Sequence, residues 1–256
     1  MPVFDTHAHY TSQAFDDDRD AVLSGLKEKG VGKVLECGVD YATSIKCLEL
    51  AGKYSFIRAA VGLHPEEVDT IEGVQEELAR LRPLYENPLT AAVGEIGLDH
   101  HWDNPRDVQR YAFEEQCRLA LELGLPVVVH DREAHAETYE ILLRLRPRGV
   151  LHCYSGSAES ARTLAEAGFY FGFGGALTFK NAKRAAEAAA VIPPGRLLLE
   201  TDCPYMAPEP YRGRRCDSSL IPCVARVLAE IKGMTPQAVI AQTEENAKAL
   251  FGDWQP

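Results

Sequence analysis

Two histidines stand two residues apart at His7 and His9, and four more imidazole or carboxylate groups follow at Glu95, His130, His152 and Asp202. Each lies at or near the end of a short apolar run: VFDTHAH, TAAVGEIGLD, LPVVVH, GVLHC and LLLETD. Apolar strands that end in such groups are costly unless the groups meet a common partner. A divalent metal ion is a suitable partner for nitrogen and oxygen donors, and water held by it is a ready nucleophile. A metal-dependent hydrolase is therefore expected.

With a period of two along a strand, His7 and His9 point the same way and can grip one ion. Alone, a His-x-His pair is more often two surface or core histidines; its place at the end of a first strand beside Asp5 strengthens it. Glu95 has two oxygens, enough to bridge two ions about 3.5–4 Å apart. A turn-capping or Arg-paired glutamate would be out of place in that apolar run, and its flanking glycines allow close approach of backbone. His130 and His152, each a plausible core histidine, together favour a second ion. Asp202 suits ligation of the first ion and acceptance of a proton from the attacking water. The donors are nitrogen and oxygen only, which fits Zn, Mn or Mg. Cys153 and Cys203 adjoin two ligands and should point away into packing.

These side chains need strands to carry them. Candidate strands are Val3–His7, Lys33–Cys37, Ile57–Gly62, Ala91–Glu95, Pro126–His130, Val150–His152, Tyr170–Phe173 and Leu197–Glu200. Helical patterns alternate with them. Asp16–Lys29 stops at Gly30, Arg106–Leu123 stops at Gly124, a helix capped by Ser157 ends at Gly168, and Thr235-Pro236 opens the last. Eight strands alternating with helices predict an α/β chain of the (β/α)8 TIM barrel type, a single domain over 1–256. The rival is a doubly wound open sheet, but DTHAHY replaces the Gly-rich turn that such a sheet carries after its first strand. In a barrel the C-terminal strand ends share one face, so residues nearly 200 positions apart are expected to converge there.

Composition sets bounds. The chain has 256 residues, 46% hydrophobic and 25% charged, with a formal net charge of −11. That charge argues against a protein that coats nucleic acid, although paired cations would still allow action on one phosphodiester. Seven dispersed cysteines without a CxxC pair suggest reduced thiols. No apolar run is long enough to span a bilayer, and the first motif begins at Asp5. The expectation is a cytoplasmic protein with no membrane association and no stable protein partner.

The motifs DTHAHY, VGLHPEE, GEIGLDHHWD, LPVVVHDREA, GVLHCYSGS, LLLETDCPYMAP and NAKALF, taken in order, resemble the TatD family of metal-dependent deoxyribonucleases in the amidohydrolase superfamily. The resemblance covers essentially the whole chain. It implies two divalent metal ions (Mg, Mn or Zn), one held by His7, His9 and Asp202, the other by His130 and His152, with Glu95 bridging. It also implies that His64 lies close to the substrate phosphate. The chain departs from the family pattern at Arg214-Arg215-Cys216-Asp217-Ser218, where RNEP is common, and at His100 and His101, where an aromatic residue is frequent.

The expected reaction is hydrolysis by a hydroxide shared between two ions. Asp202, Glu95 and His64 form the catalytic set, with Asp202 orienting or deprotonating the nucleophile and His64 contacting the phosphate or protonating the leaving oxygen. His64, Arg132, Tyr205 and Arg212 are the candidate substrate contacts. Arg214 and Arg215 belong either with them or to a solvated charged loop. Tyr154, Tyr211 and Trp102, with Tyr205, are candidates for stacking on an unpaired base, against packing of their own loops. Single-stranded nucleic acid is the expected substrate, cleaved as an exonuclease cleaves it, with DNA favoured and RNA the variant. Two rivals stay open: a binuclear-metal amidohydrolase acting on a small amide, an ester or an aminoacyl-tRNA ester, and a non-catalytic metal-stabilised binding module.

Overall fold

The computed structural model describes residues 2–254. Its strands are β1 (Val3–Ala8), β2 (Val31–Cys37), β3 (Ile57–Val61), β4 (Thr90–Asp99), β5 (Val127–Arg132), β6 (Gly149–Leu151), β7 (Tyr170–Phe173) and β8 (Leu197–Leu199). Helices α1 (Arg19–Gly25), α2 (Tyr41–Lys53), α3 (Ile71–Leu81), α4 (Arg106–Leu123), α5 (His135–Leu145), α6 (Ala158–Glu166), α7 (Lys183–Val191), α8 (Ile221–Lys232) and α9 (Pro236–Phe251) alternate with them. The strands form one eight-stranded sheet in sequence order, β1 to β8. This is the order of a (β/α)8 barrel, and that is the fold class.

Two compact units are distinguished by their internal packing: Met1–Glu36 with Cys153–Pro256, and Cys37–His152. In the first, β1 pairs with β2 in parallel and also adjoins β8 through an Ala8–Cys203 bridge, so the first and last strands are neighbours. All six residues of β1 are buried. An apolar strand buried on both faces is what a parallel sheet covered by helices requires. In the second unit β3, β4, β5 and β6 pair in turn.

The punctuation read from the sequence has clear counterparts. Ser157 accepts from the Ser160 amide at the start of α6, and Thr235 accepts from the Ala238 amide at the start of α9. Gly124 ends α4 in a left-handed conformation at φ 67°. Two elements differ from expectation by more than two residues at an end. The first helix covers only Arg19–Gly25, because Gln13–Phe15 forms a separate 3-10 turn and Asp18 breaks helical geometry at φ −144°. Strand β4 runs four residues past Glu95, its far end in register with β5 at Gly97–His130, Leu98–Asp131 and Asp99–Arg132. Gly97 makes this pairing possible: its φ is +146°, and a Cβ there would lie 1.9 Å from the His130 carbonyl oxygen. Among the described residues, no helix is long and apolar enough to cross a membrane.

Candidate metal centre and active site

In the first unit, β1 carries the fully buried His7 and the chain delivers His9 just beyond it. Their Nε2 atoms lie 3.0 Å apart. Asp202, three residues past β8, is pinned when its amide donates to the His7 carbonyl at 2.9 Å. Its Oδ1 then stands 3.7 Å from His7 Nε2 and 3.5 Å from His9 Nε2. Two imidazole nitrogens and one carboxylate oxygen thus face a common point, a donor set that suits a divalent ion of borderline hardness.

A buried polar network holds this arrangement. Asp5 accepts from Thr201 Oγ1 at 2.6 Å, from the Thr201 amide at 3.0 Å and from Ser218 Oγ at 2.6 Å. Tyr10 completes it, 2.7 Å from Ser218 Oγ and accepting from the Ser218 amide at 2.9 Å. Burial raises the Asp5 carboxyl to about 6, while the bonds from Ser218 and Thr201 pull the other way. Glu36 is also fully buried: one oxygen accepts from the Thr11 amide at 2.7 Å, and the other has no hydrogen-bond partner among the described residues. Burial pushes its carboxyl to about 7, opposed by Tyr10, Thr11 and His9.

In the second unit three imidazoles converge on one oxygen of Glu95, a buried residue in the middle of β4. Glu95 Oε1 lies 2.9 Å from His152 Nε2, 3.0 Å from His130 Nδ1 and 3.4 Å from His64 Nε2. His130 Nδ1 and His152 Nε2 are 3.2 Å apart. The other nitrogen of His130 meets Asp99 Oδ2 at 2.9 Å. A carboxylate there accepts a hydrogen bond from Nε2–H and leaves the Nδ1 lone pair of the neutral ring facing inward, the arrangement found behind metal-binding histidines. Burial works against charge on His130, yet Asp99 and Glu95 outweigh it and raise the group to about 10. The cluster therefore favours a cation, either a proton or a metal. Asp99, despite burial, is lowered to about 2, mainly by His130.

His64 plays a different part. Its Nδ1 accepts from the Glu66 amide at 3.2 Å, so the proton sits on Nε2 and points toward Glu95. It is placed as a donor rather than a lone pair.

The other proposed substrate contacts, Arg132, Tyr205 and Arg212, are exposed. Arg132 is exposed at the end of β5, its guanidinium 5.7 Å from the Trp102 ring. Tyr205 is 59% exposed, and Arg212 stacks 3.6 Å over Phe179. Arg215 is committed: it donates to both oxygens of Asp18 at 2.8 and 2.6 Å and lies on Phe15. Asp217 caps the 3-10 turn Ser218–Leu220, and His101 pairs with Glu133 at 2.9 Å. Tyr154 is buried against Phe171. An open cleft of about 740 Å³ is lined by Glu66, Glu67, Asp69, Trp102, Asp103 and Asn104. Its four carboxylates oppose a phosphodiester.

The sequence reading did not single out Asp99, Thr201, Ser218 or Glu36. Asp99 could have been found: Glu95, Gly97 and Asp99 share one side of an extended strand. The others carry no local signature.

Comparison with known proteins bears on all of this. Residues 4–252 match the pattern of the family described as TatD related DNase. The chain is 42% identical over 253 residues to the Bacillus subtilis protein "Uncharacterized metal-dependent hydrolase YabD", covering 97% of this chain and 98% of that one. It is 37% identical to the "3'-5' ssDNA/RNA exonuclease TatD" of Cronobacter sakazakii, with 97% of each covered. Among solved structures it resembles the TatD homolog YjjV of Escherichia coli, with a TM-score of 0.90, 31% identity and 98% of each chain covered.

Proposed function

Since the chain belongs to the TatD related DNase family and is a metal-dependent hydrolase of that family, we propose that it is a nuclease that removes nucleotides from the end of single-stranded DNA, with RNA as a second substrate. His7, His9 and Asp202 are assigned to one divalent ion, and Glu95, His130 and His152 to another, of Mg, Mn or Zn. Such ions, when bound, make water acidic enough to attack near neutral pH and offset charge on phosphate oxygens. Asp202 accepts the proton of the attacking water. Glu95 and His130 keep their lone pairs inward, His130 because Asp99 holds its outer proton. His64, with its proton on Nε2, donates to a non-bridging oxygen or to the departing one. Arg132, Tyr205 and Arg212 take up the strand. Seven cysteines without a CxxC pair favour a cytoplasmic setting.

One observation carries the reading: three imidazole nitrogens meet Glu95 Oε1 within 3.4 Å in a buried cluster. The substrate follows the activity for which the Cronobacter relative is named. The test is metal added back to chelated protein, with 5′- and 3′-labelled single-stranded DNA and RNA and a panel of amides, esters and aminoacyl-tRNA. Mononucleotide release is expected. Asp202→Asn should lower kcat by roughly 10²–10⁴ while an ion remains at the Glu95 cluster. Turnover only on amides or esters, or an unchanged rate in Glu95→Ala, would overturn the proposal.

A further inference from the structure

The chain is acidic as a whole, with 27 Lys+Arg against 38 Asp+Glu, but its charge is not evenly spread. From Ala167 to Ala186 it has Lys180, Lys183 and Arg184 and no acidic residue. From Cys203 to Cys216 it has Arg212, Arg214 and Arg215 against the single carboxylate Glu209. Six cations to one anion, in the segments that follow β7 and β8, reverse the sign of the molecule locally.

These segments are packed together. Thr178 Oγ1 accepts from the Glu209 amide at 2.8 Å and donates to the Gly175 carbonyl at 2.7 Å. Gly175 sits so close to the second loop that a Cβ there would lie 1.7 Å from the Met206 carbonyl oxygen. The second loop is closed at its base by the Cys216 amide on the Pro204 carbonyl, 3.0 Å, and begins where the Tyr205 amide bonds the Asp202 carbonyl, 2.9 Å. It is therefore an ordered lip rooted at Asp202.

Its outer face mixes cations with aromatic rings. The Arg212 guanidinium carbon lies over the Phe179 ring, 3.6 Å from its centroid, a contact that restrains the side chain, which is itself exposed. Arg214 lies 6.0 Å from the Tyr211 ring. Tyr205 and Tyr211 are exposed large aromatics. Lys180, Lys183 and Arg184 are all exposed, and Glu187 lies 3.9 Å from Lys183. Arg215 is excluded by its bond to Asp18. Cations that follow a backbone, interleaved with rings that any base can stack on, are what holds single-stranded nucleic acid without regard to sequence.

We infer that this lip, built from the segments after β7 and β8, is the strand-holding surface: Lys180, Lys183, Arg184 and Arg214 join Arg212 and Tyr205 in gripping phosphates beyond the bond that is cut. The inference rests on the nuclease reading and extends it to residues distant from the reacting atoms. Its chemistry predicts binding driven by released counterions, hence steep in salt.

The test measures binding rather than turnover. Metal-loaded protein is titrated with a fluorescein-labelled phosphorothioate strand of about 15 nucleotides over roughly 50–200 mM salt. Replacing Lys180, Lys183 and Arg184 with Ala should weaken binding by about tenfold or more and flatten the log–log salt slope by about 2, near 0.7 per lost phosphate contact. A control that removes the exposed Lys27, Lys46 and Lys53, with the same change in net charge, should leave the slope unchanged. Equal slopes for the two triple variants would overturn the inference, as would capture of the wild-type protein by phosphatidylglycerol vesicles without binding of the strand. If the strand binds through the lip but no nucleotide is released from a normal diester, the nuclease reading fails and the lip stands.

Discussion

His130 Nε2 and Asp99 Oδ2 lie 2.9 Å apart, and this contact decides which nitrogen of His130 is offered to its neighbours. Asp99 is itself clamped: its amide donates to Gln109 Oε1 at 2.9 Å, and its carbonyl accepts from Gln109 Nε2 at 2.8 Å. The ring of His130 cannot turn without breaking the pair, so Nδ1 stays aimed at Glu95, 3.0 Å away.

Asp99→Asn removes the charge that holds the outer proton while keeping the shape. Partners of this kind are worth about 10- to 100-fold in metal affinity. Competition against a chromophoric chelator should show one divalent ion bound weaker by that factor. Affinity equal to the wild type would show that Asp99 only fills space.

Protons and metals compete for the same cluster. His130, raised from its ordinary 6.5 to about 10, is protonated at pH 7 in chelator-treated protein. Its folded value lies above the unfolded one, so the stability it contributes is fully present below about 6.5 and is lost as pH rises through about 10. Chelator-treated protein should lose melting temperature between these limits, and His130→Gln should flatten the loss. Loading the metal must expel that proton, so affinity should rise with pH by up to about tenfold per unit. Calorimetry in two buffers of different ionisation heat measures the proton released; none released would contradict the assignment.

The barrel was legible because short, continuous apolar runs alternate with helical patterns, and because those runs state which imidazoles and carboxylates stand at strand ends. All eight candidate strands have counterparts, with Tyr170–Phe173 unchanged. Less legible was what depends on register between strands. Gly97 meets His130 because β4 continues beyond Glu95, where its expected end lay. Ser218 reaches Asp5 across 213 positions, and Thr201 across 196. No local pattern encodes such pairs. The first helix was overextended because charged residues on a helical period do not reveal that Arg19 bonds the Tyr10 and Ser12 carbonyls and holds the preceding turn in place.

Glu36 offers a pH test away from His130. Burial raises its carboxyl from 4.5 to about 7, so the stability it contributes is present below about 4.5 and lost as pH rises through about 7. An amide of the same shape is neutral at every pH. Glu36→Gln should match the wild type near pH 5 and exceed it by roughly 1–3 kcal/mol at pH 8, in chelator-treated protein. Urea melts at the two pH values measure this; a variant less stable at pH 8 would mean that the ionised carboxylate is favoured there.

Gly97 admits no side chain, since a Cβ would overlap the His130 carbonyl at 1.9 Å and the φ of +146° disfavours one. Gly97→Ala must therefore push β4 and β5 apart where Glu95 and His130 meet. A loss of more than about 3 kcal/mol in stability is expected, together with weaker metal binding. Unfolding in urea within about 1 kcal/mol of the wild type would show that the strands can shift at little cost.

The two arginines Arg212 and Arg215, three positions apart, should separate cleanly. Arg215 spends its donors on both oxygens of Asp18 and on the Ala14 carbonyl. Arg212 lies over Phe179 and is exposed. Arg212→Ala should raise KM for a single strand by about tenfold, the worth of one charge-assisted phosphate contact at 1.5–3 kcal/mol less screening. Arg215→Ala should leave KM alone and lower the melting temperature slightly, as expected for an exposed ion pair. Steady-state kinetics beside a thermal melt reads both. A rise in KM for Arg215→Ala with none for Arg212→Ala would invert the roles and place the strand on the opposite side of the loop.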